Sequence, residues 1–202
     1  MKINTRSLTL AATLAALCCI TGLLPYVFFL PVMVAATTLS VGMAAFVGLA
    51  FGVISIAYSF LMPTSLVALA FIQAPYIALL PRIAAALGAF GAFAFIKRVC
   101  KPTKKAGRFA AVSVSAAIGS LLNTAIVVAL FVLIMPHLEL GGITMLAYVP
   151  SMLVSGTIEC VCMAVITPPI TLTLDRVALK RRKRRVSAEP IAADGKFTDN
   201  SL

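Results

Sequence analysis

Four polar residues stand in apolar surroundings where they could hold a solute: Arg82, Asn123, Thr124 and Glu159. A guanidinium can grip a carboxylate or phosphate through two parallel bonds. An amide offers both a donor and an acceptor, and a carboxylate offers acceptors alone. Together they would make a polar pocket for a small molecule. The alternative is structural. Asn and Glu can bond neighbouring helices to one another, and an arginine near a helix end can reach the interface along its stem. Both readings stay open on the residues alone.

Enzyme chemistry has few candidates. The chain has one histidine, and it carries no HExxH, no GxSxG, no Walker A loop and no paired carboxylates on one helical face. An enzyme, a metal site and a bound cofactor are not expected. Any pumping must therefore draw energy from a partner or a gradient. The five cysteines, Cys18, Cys19, Cys100, Cys160 and Cys162, form no CxxC pair and have no histidine beside them. They read as small packing residues.

The elements that position the four polar residues follow from composition. Hydrophobic residues make up 61% of the 202 and charged residues 11%, where a soluble domain carries roughly 25% charge. So little charge cannot cover a surface in water, and the solvent that fits is lipid. A net charge of +11 is compatible with a nucleic-acid partner, but 16 of the 17 Lys and Arg residues fall in three places. These are the N-terminus (Lys2, Arg6), a cluster from Lys97 to Arg108, and the stretch from Arg176 onward. Basic clusters flanking apolar stretches mark the cytoplasmic side of a membrane protein and attract anionic lipid headgroups. No nucleic-acid partner is expected. The apolar run after Arg6 continues far beyond the length of a leader, and Leu17 stands before Cys18 where a lipoprotein signal needs a small residue. It reads as a retained first helix.

From Ser7 to Pro81 there is no Asp, Glu, Lys, Arg or His, a run of 75 residues. A spanning helix needs roughly 20 residues, and backbone in lipid must bond to itself. Parity then predicts the topology. An even number of crossings must join two basic, cytoplasmic segments. Leu8 to Ile96 accommodates four, and Phe109 to Leu174 two. The expected fold is all-α, with six transmembrane helices and both termini cytoplasmic. Its spans are about Leu8–Leu24, Phe28–Leu39, Met43–Leu61, a fourth ending near Ile96, Phe109–Met135 and Tyr148–Leu174. Met62 to Leu80, interrupted by Pro75, reads as a folded outer loop, a re-entrant piece or the start of the fourth span. Pro168 and Pro169 are expected to end or kink the sixth. Residues 1–175 make one membrane domain, and 176–202 a basic cytoplasmic stretch with a disordered tail. On this plan Asn123 and Glu159 each lie roughly 16–18 Å below the outer surface. Charged groups at that depth are costly and face the protein interior or a watery cavity.

The first span carries Ala11, Ala12, Ala15 and Ala16, two overlapping AxxxA pairs. Small residues four apart let a second helix approach closely, from within the protein or from a partner. With this face come Phe51-Gly52-Val53-Ile54-Ser55, Pro81-Arg82 followed by Gly88, Gly119-Ser120-Leu121-Leu122-Asn123-Thr124, and Glu159 ahead of Pro168-Pro169. In this order and spacing, across roughly Leu8 to Leu174, the chain resembles the substrate-binding S component of energy-coupling factor transporters, bacterial vitamin importers, and most of all the pantothenate and folate-like subfamily. The resemblance implies a vitamin-like substrate bound from the outer side of the bacterial cell (inner) membrane, with Arg82, Asn123, Thr124 and Glu159 as binding residues. It also implies assembly with a transmembrane T component, touched by the four alanines, and with two ATP-hydrolysing subunits. The chain has no Trp, and no thiamin, biotin or riboflavin fingerprint is recognisable. Two other classes compete: a self-sufficient carrier driven by an ion gradient, and a membrane scaffold that binds no solute.

Overall fold

The structure, a computed structural model, describes residues 5–22, 26–63, 65–101, 105–135, 137–140 and 142–194. Its helices are α1 (Thr5–Thr21), α2 (Leu30–Thr38), α3 (Val41–Leu61), α4 (Leu66–Gln73), α5 (Pro75–Cys100), α6 (Lys105–Ile134) and α7 (Met145–Asp194). A two-stranded antiparallel hairpin, β1 (Glu139–Leu140) and β2 (Ile143–Thr144), joins α6 to α7. Gly142 turns it with a φ of 80°, a conformation that costs glycine little.

Local chemistry sets the joints. The Ser65 hydroxyl caps α4 by accepting from the Ala68 N–H at 3.1 Å. Ala74 breaks the chain direction, and Pro75 restarts it at the first turn of α5, where a missing N–H costs nothing. The segment Met62 to Leu80 is thus a short helix followed by the first turns of a long one. Lys97 and Arg98 close α5 in its last turn, where cations complement the helix dipole. α7 runs through Pro168 and Pro169 without ending and reaches Asp194; residues 195–202 of the expected tail lie outside the described residues.

The expectation of six spans is not met. Among the described residues four helices are long and apolar enough to cross a membrane: α3, α5, α6, and α7 over Met145–Val177. α1 offers a shorter apolar stretch, Ser7–Thr21. α2 has nine residues, about 14 Å of helix against a hydrocarbon core of about 30 Å. Every residue from Leu30 to Thr37 is buried, so α2 is a core segment, apolar all round because protein surrounds it. Apolarity alone does not distinguish a lipid-facing helix from a buried one, so the charge-free run does not fix the number of crossings.

The protein is membrane-associated and largely α-helical, with several helices of spanning length. Their outer faces are apolar: Leu61, Phe95, Leu133, Val154 and Val161 are all exposed. An ion pair between Arg108 Nη2 and Asp175 Oδ2 (2.6 Å) puts the start of α6 and the basic part of α7 at one end of the bundle. Two apolar clusters fill the interior. One gathers Ala11, Phe29, Met33, Val47, Phe51, Ala85 and Met163; the other gathers Leu66, Phe71, Ile77, Val127, Phe131 and Met145. α3 and α5 pack through glycine. A Cβ added at Gly48 would lie 2.8 Å from the Arg82 carbonyl oxygen, and one at Gly52 2.8 Å from a Leu79 methyl. These glycines, four apart, let α5 press against α3 and fix the height of Arg82.

Candidate functional site

Arg82 lies one residue past Pro81 in α5 and is 6% exposed. Its guanidinium carbon stands 4.7 Å from the Phe71 ring centroid and 5.3 Å from that of Phe51, within the range of cation–π attraction. Nε donates to Ser55 Oγ at 3.2 Å, and Nη1 donates to the Ala78 carbonyl at 2.9 Å. A guanidinium has five N–H donors, so part of the fork has no protein acceptor among the described residues. No carboxylate pairs with it either; the ion pair found there joins Arg108 to Asp175.

Arg82 lines a cavity of about 200 Å³. α6 contributes Asn123, Thr124 and Val127. α7 contributes Tyr148, Ser151, Met152, Ser155, Gly156 and Glu159. Val67 and Phe71 of α4 and Phe28, just before α2, complete the wall. Counted along α7, the cavity starts near the hairpin and reaches Glu159, about 16 Å in, while Asp175 lies about 24 Å further on. The cavity therefore occupies the half of the bundle away from the basic end.

Asn123 and Glu159 are 7% and 5% exposed. Asn123 Oδ1 and Glu159 Oε1 are buried acceptors with no hydrogen-bond partner, while Ser120 Oγ, one turn before Thr124, is a hydroxyl on the Glu159 side that can donate as well as accept. Unpaired buried acceptors typically cost about 1–3 kcal/mol each and call for an explanation. Thr124 differs from its neighbours. Its hydroxyl donates to the Ser120 carbonyl at 3.2 Å, and its γ atoms sit where a Cβ on Gly156 would be, 2.5 and 2.6 Å away. It packs α6 on α7 as well as lining the cavity.

The structure thus brings together the four residues singled out from the sequence. It adds aromatic and hydroxyl neighbours: Phe51 and Ser55, which the sequence offers only within the Phe51-to-Ser55 stretch of the resemblance, and Phe71, Tyr148, Ser151 and Ser155. For α7 a signal existed. Tyr148, Ser151, Ser155 and Glu159 recur at intervals of three and four, the mark of one helical face. For Phe71 none did, since aromatics in an apolar run look alike. The alanine face divides. Ala11 is fully buried in the protein's own core, Ala15 is half-buried, and Ala12 and Ala16 are exposed one turn apart. Among the described residues no group of three or more His, Cys, Asp or Glu could hold a metal ion. No protein-family model and no curated protein matches the chain.

Proposed function

We propose that this protein is a membrane-embedded binding component for a small polar metabolite, serving its uptake across a bacterial cell membrane. One observation carries the reading: a buried arginine without a carboxylate partner shares a cavity with two buried, unpaired acceptors. Helix glue would leave these groups bonded to each other. Here no hydrogen bond joins the three, and all of them line a space large enough for several water molecules, each needing about 30 Å³. The resemblance to S components supplies the rest of the proposal, in which a transmembrane T component and two ATP-hydrolysing subunits drive transport. The basic end then faces the cytoplasm and the cavity the outer side.

The test is mass spectrometry of small molecules released from gently purified protein. A stoichiometric released metabolite is expected, and its loss from Arg82→Gln protein ties it to the cavity. Protein that releases nothing and shows no saturable binding across a metabolite library overturns the reading in favour of a scaffold. A second reading, a carrier driven by an ion gradient, is favoured by Glu159 in the cavity, because intramembrane carboxyls serve as relays in such carriers. Uptake by proteoliposomes lacking any ATPase would select it.

A further inference from the structure

The lining of the cavity joins a donor pole and an acceptor pole. The first is Arg82, whose fork spends two of its donors on Ser55 Oγ and the Ala78 carbonyl. The second is Asn123 and Glu159, each with an oxygen that accepts no hydrogen bond. The rest of the lining mixes the apolar side chains of Phe71, Val127 and Met152 with the hydroxyls of Thr124, Tyr148, Ser151 and Ser155. We propose that the cavity takes an amino-acid-sized molecule that carries both an anionic group and an ammonium or amide N–H, because Arg82 offers only donors while Asn123 and Glu159 bring acceptor oxygens to the same small space. This inference rests on the solute-binding reading and narrows it.

The chemistry is set by matching. A guanidinium has no acceptor, so its ligand group must accept, and a carboxylate or phosphate accepts at two points. The unpaired oxygen of Glu159 is an acceptor, so whatever meets it must donate. A simple monoanion would satisfy Arg82 and leave the acceptors unpaired beside it. A simple amine would satisfy Glu159 and leave the fork unmet. A molecule carrying both groups answers both poles, and one in which the second group is an ammonium leaves the cavity's charge unchanged. Size agrees: about 200 Å³ is below the roughly 300–1,000 Å³ of clefts for drug-sized ligands and near seven water volumes at about 30 Å³ each.

Three probes with closely similar apolar bodies separate the poles: L-leucine with both groups, 4-methylpentanoate with the anion alone, and 3-methylbutylamine with the cation alone. Titration calorimetry on wild-type protein in lipid nanodiscs should rank leucine first, by about tenfold or more over either single-pole probe, the worth of a bond to a charged group. Glu159→Gln should shrink the advantage of leucine over 4-methylpentanoate, and Arg82→Gln its advantage over 3-methylbutylamine. Equal or tighter binding of 4-methylpentanoate to wild-type protein would overturn the proposal, as would no saturable binding by any of the three. A metabolite released from the purified protein that lacks either group overturns it too, while leaving the solute-binding reading standing. If nothing is released and no metabolite binds, the wider reading fails with it.

Discussion

Gly156→Ala tests how tightly the two cavity-bearing helices are fitted. A methyl at this position would lie 2.5 Å from Thr124 Cγ2, 2.6 Å from Oγ1 and 3.1 Å from Cβ. Carbon atoms in good contact stand about 3.5–4.0 Å apart, so something must yield. Rotating Thr124 would break its bond to the Ser120 carbonyl, worth about 0.5–1.5 kcal/mol, and β-branched side chains have few helical rotamers to move to. Shifting α6 from α7 would loosen one of the two most extensive helix pairings in the bundle. Overpacking of this kind costs about 1–3 kcal/mol. We expect Gly156→Ala to lower stability by that amount, measured by reversible unfolding in mixed detergent micelles. The control is Thr124→Ala, which removes both γ atoms and leaves only the 3.1 Å contact. In that background Gly156→Ala should cost less than half as much, a coupling a double-mutant cycle resolves. Equal costs in both backgrounds would refute the argument that these two side-chain positions compete for one volume.

Two further outcomes follow from the same geometry. Ala16→Trp adds a ring on the exposed face of α1 and should leave folding intact while abolishing co-purification with a membrane partner; Ala11→Trp, directed into the core, should lower the yield of folded protein instead. Size-exclusion chromatography and pull-down distinguish the two, and an unchanged pull-down for Ala16→Trp would count against this face as a contact. In a cysteine-free background, Lys101→Cys should react with an impermeant maleimide only in opened cells; reaction in intact cells would reverse the assigned orientation.

Much of the cavity was legible in the sequence because charge is scarce there. In a chain with almost no intramembrane polarity, Arg82, Asn123 and Glu159 are conspicuous, and counting residues from the helix ends placed the last two at one depth. The ends of the long helices were legible for the same reason. The end of α5, both ends of α6 and the start of α7 lie within a few residues of the expected limits, whereas α7 runs through Pro168-Pro169 and ends at Asp194, twenty residues past the expected Leu174. What was not legible is the division of the charge-free first half. Leu30–Thr38 and Leu66–Gln73 are as apolar as any span, yet one is enclosed by protein and the other is two turns long. Composition reports that a residue avoids water. It does not report whether lipid or protein takes the place of water. The split of the alanine face has the same origin: four alanines on two adjacent strips of α1 include one turned into the core and two turned outward.

The surroundings of Arg82 bear on how the chain is assembled during synthesis. Its protein contacts, Phe51, Ser55, Phe71 and Ala78, all precede it in the sequence, whereas Asn123 and Glu159 follow. An arginine at the centre of an inserting helix costs about 2.5–3.5 kcal/mol on the insertion scale. When α5 leaves the ribosome, α3 and α4 are already made, and between them they offer the cation two ring faces and a hydroxyl. The costly charge can be sheltered at the moment of insertion, before α6 and α7 exist. The second half of the chain then closes around an arginine already held in place, and the cavity is the space left between a finished wall and a later one.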